Sequence, residues 1–289
     1  MLLITGNKGQ LGTELSALLP DALKTDYDTL DITDAAAVKA FVKENNVDTI
    51  INCAAYTAVD KAEEDVQMAE KINCLGVENL AKSGATVVHI STDYVFDGSS
   101  CRPYVETDTP CPVSVYGKTK LAGEKALFRE ATTAAVIRTA WLYSPYGNNF
   151  VKTMRRLGAQ KESLNVIFDQ IGTPTYAADL AKAIVELLPH IQKGSKEIYH
   201  FSNEGVCSWY DFARKIMELS GLSCQVMPIE TKDYPTLATR PHYSVLNKAK
   251  IRGVLGHPIA HWEEALKRCL EKMKDLFSAR LFSYGFFCR

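Results

Sequence analysis

Long apolar runs, excess charge of one sign and paired cysteines are all missing from this sequence of 289 residues. No run approaches the roughly 18 apolar residues that a membrane-spanning helix needs. The formal net charge is −1, from 33 basic and 34 acidic residues. No overall charge would therefore attract nucleic acid or an anionic membrane, and we predict neither as a partner. Internal repeats and low-complexity segments are also lacking.

The eight cysteines form no C-x-x-C pair, which gives a zinc site little support. Cys53, Cys74 and Cys269 stand in apolar or helical patterns. We therefore interpret the thiols as scattered, mostly buried and reduced. The chain begins on MLLITG, without the basic segment or cleavage site typical of a secretion signal. Together these features predict a cytoplasmic protein.

Apolar strand-like runs alternate with helical patterns along the first half of the chain. Strands are predicted at 2–5, 22–26, 48–55, 86–92 and 134–143, with helices near 10–19, 34–45, 60–83 and 114–130. Continuous apolar strands joined by helices indicate a parallel sheet that is buried on both faces. We therefore predict an α/β fold with a Rossmann-like doubly wound parallel sheet.

Beyond about residue 144 this alternation becomes less regular. Helices are predicted near 150–160, 175–190, 209–220 and 261–276, and strands at 164–168, 197–202 and 224–229. We predict a smaller C-terminal α/β domain that binds substrate. The predicted division is an NAD(P)-binding domain at 1–145, which also receives segments near 175–202 and 240–250, and a mainly substrate-binding domain at 146–289.

The first chemical motif is TGNKGQLG, in which Gly6, Gly9 and Gly12 form G-x-x-G-x-x-G. Glycine lets the backbone approach a pyrophosphate, and the N-terminus of the following helix offers free N–H groups. Glycines of this kind also occur in purely structural turns, so the strand–turn–helix context carries the assignment. The motif predicts a dinucleotide site.

The choice between NADPH and NADH stays open at this stage. Asp26 follows Gly6 at about the distance at which a carboxylate bonds the adenosine ribose, and it would repel a 2′-phosphate. Lys8 in the glycine turn would attract that phosphate. An alternative interpretation of Asp26 is an ordinary turn aspartate. An alternative interpretation of Arg240 is a residue that forms an ordinary surface ion pair.

Two further strands end in residues suited to ligand binding. Ala54 and Ala55 follow the third strand, where small side chains would let a cofactor lie against the backbone. Ser91, Thr92 and Asp93 stand at the end of the fourth strand. Ligands of open parallel sheets bind at this carboxyl edge.

The stretch SVYGKTK places Tyr116 four residues before Lys120 on a predicted helix, so both share one face. An ammonium beside the phenol would lower the pKa of the tyrosine from its usual value near 10. Such a tyrosine can give a proton to a carbonyl oxygen while a hydride reaches the carbon. Tyrosine and lysine are common on helix surfaces, so the order of glycine turn, hydroxyl-bearing strand end and Y-x-x-x-K supports catalysis.

Motifs along nearly the whole chain resemble the extended short-chain dehydrogenase/reductases, and more narrowly the dTDP-4-dehydrorhamnose reductase family. They are GNKGQLG, NCAAYTAVDKAE, HISTDYVFDG, YGKTKLAGE, RTAWLY, DQIGTPT and RPHYSVLNKAKI. The resemblance implies that an NAD(P)H-dependent oxidoreductase reduces the C4 ketone of a nucleotide sugar.

The resemblance also implies roles for individual residues. Tyr116 would be the proton donor, Lys120 its partner on the nicotinamide ribose, and Thr92 the hydroxyl beside the ketone. The implied cofactor residues are Gly6, Gly9, Gln10, Leu11, Gly12, Asp26, Asp31, Ile32, Ala54, Ala55, Tyr56, Tyr116 and Lys120. The implied substrate residues are Thr92, Asp93, Trp141 and Arg240, the last as a diphosphate ligand.

Several alternatives are left open. The substrate could be another nucleotide-linked 4-ketosugar, or the chain could be a non-catalytic NADP-binding regulatory subunit of the same fold. Dehydration is disfavoured because Tyr94 follows Asp93 where dehydratases often carry a glutamate. Some family members use magnesium at a dimer interface, and Glu14 matches one such position, so magnesium and a homodimer also stay open. The aromatic tail 281–289 matches no family pattern.

Overall fold

The computed structural model describes residues 1–285, with side chains as far as residue 276. The predicted aromatic tail enters the last helix as far as Gly285, and residues 286–289 lie outside the described residues. The strands are β1 (Leu2–Thr5), β2 (Leu23–Thr25), β3 (Thr49–Asn52), β4 (Thr86–Thr92), β5 (Ala134–Thr139), β6 (Leu142–Tyr143), β7 (Ser163–Ile167), β8 (Ile171–Gly172), β9 (Thr175–Tyr176), β10 (Lys196–Phe201), β11 (Cys207–Ser208) and β12 (Gln225–Ile229). The helices are α1 (Gln10–Leu18), α2 (Ala35–Glu44), α3 (Val59–Ala62), α4 (Val66–Glu70), α5 (Gly76–Ala81), α6 (Val115–Glu130), α7 (Phe150–Gly158), α8 (Ala177–Leu187), α9 (Trp209–Ser220), α10 (Ala249–Leu255) and α11 (Trp262–Gly285).

Six parallel strands form the central sheet, in the order β2-β1-β3-β4-β5-β10. The chain moves outward from β1 to β2 and then crosses back to β3, so the strand order reverses between β1 and β3. In a doubly wound sheet, ligands bind at the carboxyl end of such a reversal. The predicted Rossmann-like sheet is confirmed.

Alternate residues of each central strand pack against helices on opposite faces of the sheet. Leu3 and Ile50 share one core with residues of α2, α5 and α6. Their neighbours Ile4 and Ile51 share another with residues of α1 and α8. Both faces are thus covered, which explains why the strands are nearly continuously apolar.

A separate core lies in the second half of the chain, where α7, α9 and α11 pack against short strands. Helix α9 begins and ends as its sequence predicts. Ser208 and Asp211 form a capping box at the start, and Gly221 ends the helix in the left-handed conformation. Among residues 1–285, no helix is both long and apolar enough to cross a membrane.

Two predicted elements differ from those in the structure. The long helix predicted near 60–83 is broken into α3, α4, a π-helical turn at Lys71–Leu75, and α5. The strand predicted at 134–143 is interrupted after Thr139, because Trp141 adopts a left-handed backbone conformation with φ +49°. The seven cysteines of the described part of the chain are free thiols, of which Cys101 and Cys111 are exposed.

Candidate active site

A cleft of about 280 Å³ lies at the strand reversal between β1 and β3. Seven of the predicted cofactor residues line it, namely Gly6, Gly9, Asp26, Asp31, Ile32, Ala54 and Ala55. Gly9 precedes the first residue of α1, and no side chain caps the helix N-terminus. Its first N–H groups are therefore available to a phosphate group.

The glycine turn is closely packed against neighbouring backbone. A Cβ on Gly6, which has φ +67°, would lie 2.6 Å from the backbone nitrogen of Ala54. A Cβ on Gly12 would lie 2.2 Å from the Gly6 carbonyl oxygen. No other residue type fits these two positions without moving the turn. Glycine at these two positions lets the turn pack directly against neighbouring backbone, so that bare backbone forms the wall against which a dinucleotide would lie.

Asp26 and Lys8 meet at one end of this cleft. The Asp26 carboxylate accepts hydrogen bonds from the backbone N–H groups of Lys8 and Tyr27, both at 2.9 Å. The Lys8 ammonium turns away to Asp28, at 2.6 Å, and its pKa is raised by that hydrogen bond. Asp26, which would repel a 2′-phosphate on the adenosine ribose, and Lys8, which would attract it, are therefore adjacent. The Lys8 ammonium is already paired with an exposed carboxylate.

The other six predicted cofactor residues do not line the cleft, and Tyr116 and Lys120 are described below with Thr92. The Leu11 side chain is buried in the core beside α8, and Gly12 lies beneath the glycine turn. The Gln10 side-chain oxygen accepts a hydrogen bond from Asn149 at 2.9 Å. Tyr56 is held through its backbone by Asn73, whose amide makes contacts of 2.8 and 3.1 Å.

Thr92 and Tyr116 meet at the carboxyl end of β4. Thr92 is the last residue of that strand, and Tyr116 lies in the first turn of α6, which Ser114 caps. Gly117 allows this turn to approach β4, since a Cβ there would lie 2.2 Å from the Tyr94 carbonyl oxygen. Burial raises the pKa of Tyr116 to about 12, while a hydrogen bond with Thr92 acts in the opposite direction.

Lys120 does not direct its ammonium group at Tyr116, as the sequence prediction required. Its Nζ donates to the Ile90 carbonyl at 2.7 Å and contacts His89 Nε2 at 3.2 Å. Burial lowers the pKa of Lys120 to about 8. The predicted lowering of the tyrosine pKa is therefore wrong for this structure, because desolvation of the phenol dominates and the Lys120 side chain faces β4.

Asp93 is buried beside Thr92, which donates to its Oδ1 at 3.0 Å, while its Oδ2 has no hydrogen-bond partner among the described residues. Burial raises the pKa of Asp93 to about 6, although hydrogen bonds with Ser244 and Thr92 oppose the rise. A buried carboxylate with an unused oxygen is costly, and such groups concentrate at functional sites.

A second cleft, of about 680 Å³, contains Arg240 and the aromatic side chains of Phe150 and Trp209. The Arg240 guanidinium forms a two-pronged contact with Asp60, at 3.1 and 2.6 Å. Trp141 is not among the residues that line this cleft, but its ring is stacked on that of Trp209, which does line it, at a centroid distance of 3.6 Å. Arg240 thus faces the cleft and also makes the ion pair that the alternative interpretation expected.

Three residues of the site went unnoticed in the sequence. They are Asn73, which clamps the backbone of Tyr56, His89, which contacts Lys120, and Trp209, which lines the second cleft. Asn73 belongs to the π-helical turn, which no periodicity predicts. His89 stands in an apolar strand, where its polarity was the available signal. For Trp209, the only available signals in the sequence were the size of its side chain and its position after a helix cap.

Magnesium does not fit the residues present. Glu14 is buried and accepts a hydrogen bond from Lys272 at 2.7 Å, so a cation already occupies one of its oxygens. No group of three or more His, Cys, Asp and Glu side chains within the described residues could hold a metal ion. We therefore draw no step of the chemistry through a metal.

The doubly wound sheet, the cleft at its reversal and the Thr92–Tyr116–Lys120 group define an NAD(P)-dependent reductase of the extended short-chain dehydrogenase/reductase class. The model of the family described as RmlD substrate binding domain matches residues 1–275. The chain belongs to this family, that of the dTDP-4-dehydrorhamnose reductases.

Three relatives show how close the likeness is. The dTDP-4-dehydrorhamnose reductase of Aggregatibacter actinomycetemcomitans is 42% identical over 287 residues, which cover 92% of this chain and 97% of that protein. The dTDP-4-keto-6-deoxy-D-glucose reductase of Streptomyces niveus is 40% identical to this chain. The match covers 91% of this chain and 94% of that protein. A crystal structure of the Bacillus anthracis dTDP-4-dehydrorhamnose reductase in complex with NADP is 41% identical, with a TM-score of 0.90 over 94% of this chain and 98% of that one.

Proposed function

We propose that this protein reduces the C4 ketone of dTDP-4-dehydro-L-rhamnose to dTDP-L-rhamnose, with NADPH or NADH as the reductant. The observation that carries the proposal is the meeting of Thr92 and Tyr116 at the end of β4, beside a dinucleotide cleft. The family to which the chain belongs supplies the substrate class.

Tyr116 is the acid in this proposal. The bound dinucleotide supplies a hydride to the ketone carbon. The Tyr116 phenol gives its proton to the ketone oxygen as negative charge develops there, and the Thr92 hydroxyl holds the same oxygen. A pKa of about 12 keeps the phenol protonated before the reaction. Each turnover thus consumes one hydride and one proton and leaves an alcohol.

The remaining residues position the two ligands. The carboxyl end of the sheet, from Gly6 to Ala55, holds the dinucleotide, and Lys120 bonds its nicotinamide ribose. Asp93 and Trp141 contact the sugar, and Arg240 binds the diphosphate, exchanging its contact with Asp60 for phosphate oxygens. We assign 1–145, with segments near 175–202 and 240–250, to dinucleotide binding, and 146–285 mainly to the sugar nucleotide.

A related 4-ketosugar is the second candidate substrate. The Streptomyces niveus relative is named for dTDP-4-keto-6-deoxy-D-glucose, and its identity to this chain is nearly the same as that of the rhamnose-forming relative. The described catalytic groups act on any ketone held against Thr92 and Tyr116. The choice between the sugars therefore depends on the second cleft.

The test is to follow nicotinamide absorbance with purified protein, each of NADPH and NADH, and each of the two ketosugars. We expect oxidation with dTDP-4-dehydro-L-rhamnose to give the highest kcat/KM. Faster reduction of the glucose-derived ketosugar would select the second candidate. Binding of NADP without oxidation of NADPH by either sugar would favour the non-catalytic regulatory subunit. Sedimentation of the same sample tests whether the protein forms a homodimer.

A further inference from the structure

A chain of buried hydrogen bonds connects β1, β3 and β4 to the side chain of Lys120. Thr5 Oγ1 donates to Asn52 Oδ1 at 2.7 Å, Asn52 Nδ2 contacts His89 Nδ1 at 3.0 Å, and His89 Nε2 contacts Lys120 Nζ at 3.2 Å. Each of these four residues is at most 1% exposed. No water can therefore serve as an alternative partner, and the protons must be arranged consistently along the chain.

Backbone geometry determines the direction of these hydrogen bonds. The Ala54 N–H, which can only donate, points at Asn52 Oδ1 at 3.1 Å. This identifies the side-chain oxygen of Asn52, so its NH₂ group must be the atom that faces His89. An amide NH₂ donates and does not accept. His89 Nδ1 is therefore the acceptor.

The position of the histidine proton follows from this direction. Complete burial holds the pKa of His89 well below its usual range, so the ring is neutral and carries a single proton. Because Nδ1 accepts, that proton belongs to Nε2, which points at Lys120. An ammonium has three donors and no lone pair, whereas an uncharged amine can accept one hydrogen bond. Lys120 Nζ can accept from His89 and still donate to Ile90 only as an amine.

The charges around Lys120 permit this state. Glu124, one helical turn away, favours the ammonium, but Arg138 binds the same carboxylate at 3.0 and 2.7 Å and offsets it. The Cys53 thiol also lies within electrostatic range of Lys120, and burial raises the pKa of this thiol to about 12, so it stays uncharged. Desolvation is the largest influence on the lysine and lowers its pKa to about 8.

We propose that Asn52 and His89 are positioning residues that favour Lys120 as an uncharged amine in the cofactor-free site, so that Lys120 takes up a proton when the dinucleotide binds. Cys53 lines the dinucleotide cleft and interacts electrostatically with Lys120, so the lysine is close enough to the cleft to respond to charge bound there. A dinucleotide diphosphate brings negative charge, and negative charge favours the ammonium. The inference rests on the proposed function for the role of Lys120 beside the cofactor.

The first experiment measures the tautomer of His89 directly. In cofactor-free protein labelled with ¹⁵N-histidine and kept at about pH 9, above the pKa of Lys120, we expect NMR to show the proton on Nε2, with His89→Gln used to assign the signal. A proton on Nδ1 would overturn the inference. Asn52→Asp replaces the donor with an acceptor and should move the proton to Nδ1. Thr5→Val is the matched control, because it removes a bond to Asn52 but leaves the Ala54 N–H to orient the amide.

The second experiment measures proton uptake on NADP binding, by calorimetry at pH 8 in buffers of different ionisation enthalpy. With a pKa of about 8 in the free site, about half a proton per bound NADP should be taken up. Lys120→Met should abolish this uptake, whereas Lys125→Met, an exposed lysine of the same helix, should retain it. Binding of NADP to the wild-type protein without uptake would contradict the inference.

Neither experiment uses a sugar nucleotide, so the two proposals fail separately. Protein with the Nε2 proton and the proton uptake, but without ketosugar reduction, would retain this inference and lose the proposed function. Normal ketosugar reduction by protein that shows neither the Nε2 proton nor the proton uptake would retain the proposed function and overturn this inference.

Discussion

The two ligand-binding regions of this protein are built in opposite ways. The dinucleotide cleft depends on side chains that are missing, since a Cβ at Gly6 or Gly12 would collide with backbone. The second cleft depends on side chains that are large, including Trp209, and on Arg240, whose partner Asp60 lies 180 residues away in the chain. The first cleft is lined by residues between Gly6 and Ile72, whereas the second combines residues between Phe150 and Arg240 with the contact from Arg240 to Asp60.

This contrast suggests where each kind of substitution should act. Changes in the backbone cleft should weaken binding of the dinucleotide, and changes in the side-chain cleft should weaken binding of the sugar nucleotide. The Thr92–Tyr116 pair lines neither cleft and should affect the chemical step alone.

Tyr116→Phe should have the largest effect on turnover, because it removes the proposed proton donor to the ketone oxygen. We expect kcat to fall by about 10²- to 10⁴-fold with NADP binding unchanged. Tyr143→Phe is the matched control, since the buried Tyr143 hydroxyl has no hydrogen-bond partner among the described residues. Steady-state kinetics and NADP titration measure both quantities. Near-normal turnover of Tyr116→Phe would remove the proposed mechanism.

Gly6→Ala should weaken dinucleotide binding by about tenfold or more, because strain of about 1–3 kcal/mol is added where the backbone must stay close to Ala54. Gly84→Ala is the control. Gly84 also has a positive φ, of +86°, but a Cβ there meets no atom within 4 Å. Both variants should lose thermal stability, and only Gly6→Ala should lose affinity for NADP. Equal NADP affinity in the two variants would mean that the close approach is unrelated to binding.

Arg240→Ala should raise the KM for the sugar nucleotide by about tenfold, since a charge-assisted contact with phosphate is worth roughly 1.5–3 kcal/mol. The KM for NADPH should stay the same, which separates the two clefts. Arg252→Ala removes a comparable ion pair, with Glu204, outside the cleft and serves as the control. An unchanged KM for the sugar nucleotide would leave Arg240 with the structural role of binding Asp60.

Asp93→Asn should stabilise the protein at neutral pH. The folded-state pKa of Asp93, about 6, lies above the ordinary value of 3.8, so its folded form binds the proton more tightly than its unfolded form. Its contribution to stability is therefore full below about pH 4 and is lost as the pH rises through 6. The cost at pH 7 is at most about 3 kcal/mol.

Thermal unfolding at pH 4 and pH 7 measures this effect. The gain of Asp93→Asn should appear at pH 7 and disappear at pH 4. Hydrogen bonds from Ser99 lower the pKa of Asp97, so Asp97→Asn should instead lose stability at pH 7. A gain for Asp93→Asn that does not depend on pH would show that its charge is not the cause.

The same contrast explains what could be predicted from the sequence. The parallel sheet and the glycine turn were predictable because each is specified by neighbouring residues. The break at Trp141 was not, because the sequence 134–143 carries no glycine or proline to mark it, and the ring of Trp141 stacks on Trp209, a residue far along the chain. The direction of the Lys120 side chain was missed because the i, i+4 spacing ignores what faces the helix, and here His89 and the Ile90 carbonyl do.

The pairing of β10 with β5 has a consequence for synthesis of this protein on the ribosome. Strand β5 is complete at Thr139, but its neighbour begins only at Lys196. At ordinary translation rates that interval is roughly three to ten seconds, during which a strand that is fully buried in the finished protein has an open edge. A fragment that ends at residue 145 would keep that edge permanently, so the dinucleotide-binding half needs its late strand to be stored or expressed without aggregating.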